Sequence, residues 1–213
     1  MCGQHARRFL RAGTTARDDA LCFSCGALER HRLLWLFLTR RTDLLDGRPR
    51  RMLHVAPEPC LEQRLRERIG EAYLTADLHD PRAMVQMDIC DIDYPDGAFD
   101  VIYCSHVLEH IPDDRQAMRE LHRTLAPDGW AVLSVPISSA QTFEDPSIVE
   151  PAERLRAFGQ ADHVRSYGPD FADRLREAGF GVTIFEVSDV ASPDEVVRMG
   201  LARTSGVIHY CTK

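Results

Sequence analysis

Three residues capable of shared chemistry stand close together in the run from Phe99 to Asp114, FDVIYCSHVLEHIPDD: His106, Glu109 and His110. Positions i, i+3 and i+4 lie on one helix face, so the spacing predicts that two imidazoles and a carboxylate converge on a ligand, a proton or a metal ion. The plainer reading is a polar helix start that only caps itself. Phe99 to Cys104 runs apolar, as a strand buried in a parallel sheet does, which puts the motif at a strand's carboxyl end.

A second polar run, FGQADHVR from Phe158 to Arg165, closes the stretch 136–167, which carries Pro136, Pro146 and Pro151 and little regular pattern. Loops of that length in compact domains are usually lids or disordered insertions, and its polar run favours a lid that folds over the strand ends. It would bring His163, Arg165 and Tyr167 near His106 and His110. Imidazoles suit proton removal near neutral pH, and an arginine can orient a carboxylate by paired hydrogen bonds. The alternative is that Arg165 and Asp162 pair on the surface.

The letters His106-Val107-Leu108-Glu109-His110 also fit H-x-x-E-H, the zinc signature of inverted metalloproteases. That motif belongs within a long helix. Here an apolar strand leads straight into it and Pro112 follows at once, so a protease is the least favoured reading.

Cys2-Gly3-Gln4-His5 and, sixteen residues later, Cys22-Phe23-Ser24-Cys25 have the spacing with which two tight turns present four tetrahedral zinc ligands. Such a structural site would staple a segment too short to build its own core. Alternatively His5 is a surface residue and only Cys22 and Cys25 matter.

The elements that must hold these groups follow from periodicity. Ala27 to Thr42 presents Leu33, Leu34, Phe37 and Leu38 on a wide apolar face, which suits a helix. Asp46-Gly47-Arg48-Pro49 then breaks the pattern, dividing a knuckle-and-helix segment, 1–46, from a main domain, 47–213. Strands are expected at Met52–Val55, Tyr73–Ala76, Val85–Met87, Asp100–Tyr103 and Trp130–Val135. Helices are expected from about Pro59 to Ile69 and Asp114 to Leu125. A helix from Asp170 to Ala178, a strand from Val182 to Val187 and a last strand from Val207 to Tyr210 close the chain. This alternation is that of an α/β fold with a doubly wound parallel sheet, whose ligand lies across the carboxyl ends of its strands. Asp77 ends the second strand, where a carboxylate can accept both hydroxyls of a ribose, and Asp88 ends the third, within reach of an adenine amino group. Either could also be an ordinary turn aspartate.

Strand-end Asp77, then Met87-Asp88-Ile89, then FDVIYCSHVLEHIPDD and the turn Leu125-Ala126-Pro127-Asp128-Gly129-Trp130 resemble the class I S-adenosylmethionine-dependent methyltransferases of the type 11 group. The chain also resembles a bacterial subgroup with an amino-terminal cysteine pair, a CGxLERHRLLWL helix and an FGQxDHVRxYG segment. The resemblance implies a Rossmann-like, seven-stranded, mostly parallel sheet with one antiparallel strand, S-adenosylmethionine as cofactor, and methyl transfer to a small-molecule acceptor. It places His54, Val55, Ala56, Pro57, Glu58, Asp77, Leu78, Asp88, Ile89, Ser105 and His106 at the cofactor. It places His110, His163, Arg165 and Tyr167 at the acceptor. The first loop, His54-Val55-Ala56-Pro57-Glu58-Pro59, lacks the family's glycines, so Ala56 becomes the small residue nearest the ligand and Glu58 the acceptor for its ammonium. A non-catalytic domain of the same fold is the alternative this departure leaves open. Ubiquinone-pathway O-methyltransferases and the small-RNA 2′-O-methyltransferases carry E-x-x-E-H at this point and bind a divalent ion. By that likeness His106, Glu109, His110 and His163 form a metal site, with imidazoles favouring zinc or a transition metal over magnesium.

Composition bounds these readings. The 213 residues, 44% hydrophobic, suffice for one α/β domain and a small appendage. No apolar run is long enough to cross a bilayer, so a cytoplasmic protein without membrane contact is expected, and its seven cysteines are expected to be buried, metal-bound or catalytic. Residues 1–70 hold 14 arginines against 8 acidic groups, and the rest 12 basic against 25 acidic. An acidic main domain argues against a nucleic-acid track, and the polar 136–167 stretch favours a small polar acceptor. Nothing in the sequence bears on oligomeric state.

Overall fold

The computed structural model describes residues 1–4, 8–13, 16–201 and 206–213. The strands are β1 (Leu10–Ala12), β2 (Arg17–Leu21), β3 (Met52–Val55), β4 (Tyr73–Asp77), β5 (Val85–Gln86), β6 (Phe99–Ser105), β7 (Leu125–Ser134), β8 (Phe143–Glu144), β9 (Arg165–Ser166), β10 (Gly181–Phe185) and β11 (Ile208–Thr212). The helices are α1 (Glu29–Arg41), α2 (Pro59–Ile69), α3 (Asp114–Thr124), α4 (Pro151–Phe158), α5 (Phe171–Glu177), α6 (Val187–Val190) and α7 (Pro193–Arg198).

The chain divides into two compact units, Met1–Arg50 with Pro57–Tyr73 and Phe185–Ile208, and Arg51–Ala56 with Leu74–Ile184 and His209–Lys213. The division differs from a single boundary near Gly47. The amino-terminal segment gathers two later stretches to itself: His31 faces Glu58, the tilted Phe37 and Phe185 rings meet at 5.0 Å, Arg40 pairs with Glu195, and Arg32 donates to the carbonyls of Met199 and Gly200. The smaller unit also holds a hairpin, β1 with β2, that has no apolar alternation to announce it.

Seven strands form one sheet in the order β10-β11-β7-β6-β3-β4-β5. The pairs β3 with β6, β6 with β7 and β4 with β5 are parallel, and β11 runs antiparallel to β7. From β3 the chain steps to β4 and β5 on one side, then returns to β6 and β7 on the other. The switch point therefore lies between β3 and β6, where folds of this kind open a crevice at the strands' carboxyl ends. Both strands are apolar because both faces are covered, and Leu53, Val55, Ile102 and Cys104 join Met118 and Leu121 of α3 and Phe171 and Leu175 of α5 in one core. The Asp113 carboxylate caps α3 by accepting from the Gln116 N–H at 2.9 Å.

Three local expectations change. His106 to His110 is not a helix: His106 sits in the left-handed region at φ 57° and only Leu108–His110 forms a single 3₁₀ turn. The Leu125–Trp130 turn lies within β7 as a bulge, the pairing moving from Phe99–Leu125 to Val101–Trp130. A Cβ at Gly129 would stand 2.8 Å from the Asp100 carbonyl oxygen, so the bulge needs glycine there. The 136–167 stretch is ordered: β8 pairs antiparallel with β9, and α4 ends at Gly159 in the left-handed conformation. Among the described residues no helix is long and apolar enough to cross a membrane.

Candidate functional site

At the switch point both strands end in a strained residue. Ala56, just after β3, has φ 49°, and its N–H donates to the Ala76 carbonyl at 2.8 Å. His106, just after β6, has φ 57°, and its N–H donates to the Ser134 carbonyl at 2.8 Å. Non-glycine residues in this region cost about 1 kcal/mol or more and persist where surrounding bonds fix them, typically around a ligand. On the neighbouring strand Asp77 ends β4. Its Oδ1 accepts the N–H groups of His79 and Asp80, both at 2.7 Å, and among the described residues Oδ2 accepts nothing. Asp88 Oδ1 accepts the Cys90 N–H at 2.8 Å.

The other residues expected at a cofactor are placed unequally. Ser105 closes β6 and is buried, and Leu78 is exposed beside Asp77. His54 and Val55 point into the core, His54 with its ring 4.8 Å from Tyr103, and Ile89 is buried with them. Pro57 and Glu58 belong to the smaller unit, where Glu58 precedes α2 and its Oε1 stands 3.4 Å from His31 Nε2. Glu58, expected to accept an ammonium, thus faces a histidine.

The turn after β6 brings three titratable side chains together. One ligand atom each from Glu109, His110 and His163 lies within 4.8 Å of the others. The His163 and His110 rings meet edge to face, centroids 4.7 Å apart, and His106 Nδ1 is 3.4 Å from Glu109 Oε1. His163 Nδ1 faces the Phe158 carbonyl at 3.3 Å, a contact in which the nitrogen donates, leaving the lone pair on Nε2. That Nε2 and Glu109 Oε2 are both buried, and neither has a hydrogen-bond partner among the described residues. Two buried lone-pair atoms in one cluster can share a proton or a cation. Burial holds His163 below the ordinary histidine pKa, outweighing the nearby Glu109, so it is neutral near pH 7. His110 is about one-third exposed and its Nδ1 lies 3.3 Å from Asp162, an open rim to the cluster.

Arg165 and Tyr167, expected to meet the acceptor, are buried behind this turn instead. The Arg165 guanidinium donates to the carbonyls of Leu108, Ile111 and Pro112 and to Glu144. Those carbonyl bonds, with Pro112, explain why the motif stops at one turn and makes no helix. Tyr167 donates its hydroxyl to Asp114 at 2.6 Å, and Arg174 bridges Asp114 and Glu144. Bonds from Arg174 and then Arg165 hold Glu144 down at about 2. Asp114, Glu144 and Arg174 are the supporting residues that sequence reasoning missed; their separation along the chain gave no signal of one buried network.

In the smaller unit the thiols of Cys2, Cys22 and Cys25 also lie within 4.8 Å of one another. His5, expected as their fourth partner, lies outside the described residues.

Comparison with known proteins agrees with this architecture. The family model described as a methyltransferase domain matches residues 55–183, more than half of the chain. The chain belongs to that family. It is 30% identical over 114 residues to the 27-O-demethylrifamycin SV methyltransferase of Amycolatopsis mediterranei, an alignment covering 53% of this chain and 40% of that relative's length. Among solved structures, an S-adenosylmethionine-dependent methyltransferase from Mesorhizobium loti matches with a TM-score of 0.58 at 18% identity, covering 85% of this chain and 98% of that one. The 1,6-didemethyltoxoflavin-N1-methyltransferase of Burkholderia thailandensis, solved with its namesake compound and S-adenosylhomocysteine, matches at 0.55 and 17% identity, over 87% of this chain and 78% of that one. At these identities the structural matches speak to fold.

Proposed function

We propose that this chain binds S-adenosylmethionine at the carboxyl ends of β3, β4 and β6 and transfers its methyl group to a small polar acceptor. The observation that carries the reading is the pair of strained residues, Ala56 and His106, ending the two strands that flank the switch point. Asp77 supports it, with one carboxylate oxygen unused at the position a ribose would take. In the transfer, a lone pair of the acceptor displaces the sulfonium: the acceptor–carbon bond forms, the carbon–sulfur bond breaks with its electrons, and S-adenosylhomocysteine leaves. The acceptor's proton goes to His110, the exposed imidazole of the cluster, while neutral His163 and Glu109 behind it stabilise the imidazolium. Arg165 is engaged by backbone carbonyls and Glu144, which removes the anchor for a carboxylate acceptor and favours a hydroxyl or an amine.

Calorimetry of the purified chain with S-adenosylmethionine and S-adenosylhomocysteine tests the reading. Binding is expected, and Asp77→Ala should weaken it by about 1.5–3 kcal/mol, the range for losing a hydrogen bond to a charged group. A folded protein that binds neither compound leaves only a non-catalytic domain of the same fold.

A second reading is favoured by the two buried atoms without partners. Glu109, His110 and His163 fit a divalent transition ion in donor type and convergence, with His106 beside Glu109. Such an ion, when bound, would polarise the acceptor oxygen. Activity abolished by a chelator and restored by a divalent metal separates this reading from direct proton removal, under which activity survives.

A further inference from the structure

The smaller unit carries a cysteine cluster that lies outside the matched segment 55–183. We infer that Cys2, Cys22 and Cys25 bind a zinc ion as a thiolate site that fastens the chain's first residues to the α1 unit.

Geometry is the first argument. The three sulfurs lie within 4.8 Å of one another, Cys2 and Cys22 at 3.8 Å, a spacing wider than a disulfide and close to that between sulfurs sharing a tetrahedral ion. The turn that presents two of them is built for it. The Cys22 N–H donates to the Ala27 carbonyl at 2.9 Å and the Gly26 N–H to the Cys22 carbonyl at 3.0 Å. Gly26 has φ 70°, which reverses the chain so that both cysteines face the same side.

Charge is the second and independent argument. Arg32 is buried, and among the described residues its guanidinium donates to carbonyls, those of Asp19, Ala20, Ala27, Met199 and Gly200. The buried carboxylate beside it, Glu29, is already held by two bonds from Arg17. Among the described residues Glu29 is therefore the carboxylate that acts on both Arg17 and Arg32, and with neutral thiols the buried Arg32 charge is compensated only in part, which is costly. Three thiolates on a divalent ion have a net charge of −1, and through Ala27 the guanidinium is bonded to the turn that carries them. Such a cation beside a thiolate site both compensates its charge and fixes its geometry.

The third argument concerns size. The β1–β2 hairpin has eight strand residues, of which Ala20 alone is buried, and cannot bury a core of its own. A metal link between positions 2 and 22 closes that loop and supplies order that apolar burial does not.

The test uses the full chain, expressed with zinc and purified without chelator. About one zinc per chain is expected, with an X-ray absorption first shell of three sulfurs at about 2.3 Å and one lighter donor. Titration with a mercurial should release that zinc in step with thiol modification. Cys25→Ser should lower zinc content several-fold, while Cys90→Ser, outside the cluster, should not. If Cys25→Ser fails to fold, the absorption spectrum and mercurial release on the unaltered chain decide. Folded protein that holds zinc at well under a tenth of stoichiometry, a shell with fewer than three sulfurs, or a Cys2–Cys22 disulfide in the freshly purified chain under non-reducing mass spectrometry overturns the proposal. None of these measurements depends on methyl transfer.

Discussion

Two buried imidazoles in the larger unit share their local chemistry and differ in their company. His163 and His209 are 5% and 2% exposed, and each keeps one ring nitrogen, Nε2 and Nδ1 respectively, without a partner among the described residues. Burial pushes both below the usual histidine value, His209 to about 4. His163 faces the Glu109 carboxylate and the His110 ring, whereas His209 lies edge-on to Phe171 at 4.9 Å, with Arg176 as the charge that acts on it. Burial and an unpartnered nitrogen are therefore not the marks of a site. The mark is convergence with other titratable groups at the open end of a parallel strand.

The largest expected effect separates the two directly. His110→Ala and His163→Gln should each lower turnover by about 10²–10⁴-fold, the usual range for general acid–base groups, with little change in cofactor affinity. His209→Phe should leave turnover unchanged. Steady-state release of S-adenosylhomocysteine with an identified acceptor is the measurement, and a His209 variant as impaired as the His163 variant would erase the distinction.

Next comes the support that only one of the two possesses. Arg165 fixes the turn carrying Glu109 and His110, so Arg165→Met should cost about 3–5 kcal/mol of stability in urea unfolding, the range for orphaning one partner of a buried charge pair. Among the described residues nothing comparable holds His209. An Arg165 variant with full stability but lost turnover would return that residue to the acceptor.

The contrast also explains what could be read in the residues themselves. Apolar runs such as Met52–Val55 and Phe99–Cys104, separated by amphipathic helices, reflect burial on both faces of a sheet, so the parallel core was legible. The turn at His106 was not, because its shape depends on Ser134 and Arg165, distant partners that override local helical spacing. Arg165 and Tyr167 read as acceptor groups because their residue types permit it. Only the fold shows their polar atoms turned toward Leu108, Ile111, Pro112 and Asp114. His163 was legible as a polar residue in a long connection, whereas His209, inside an apolar final strand, carried no signal beyond burial.

The smallest effect is thermodynamic and belongs to His209. Its pKa is about 4 in the folded chain and about 6.5 when unfolded. Above pH 6.5 the ring is neutral in both states, and the pH dependence from this group vanishes. Between 6.5 and 4 the unfolded chain binds a proton that the folded chain refuses, so stability must fall as pH falls, by about 2 kcal/mol on reaching pH 5. His163 adds to the same slope with the same sign, since burial lowers it too. Glu144, held at about 2, releases its own contribution only below the ordinary carboxylate range and leaves the interval from 6.5 to 5 to the imidazoles. Denaturant midpoints measured across that interval should decline for the unaltered chain and decline less for His209→Phe, whose ring keeps the edge contact with Phe171 and carries no proton. An equal slope in the two proteins would mean that His209 is protonated as readily folded as unfolded. That outcome would require a water or an anion beside Nδ1 and would set His209 apart from His163, whose own value stays lowered by burial.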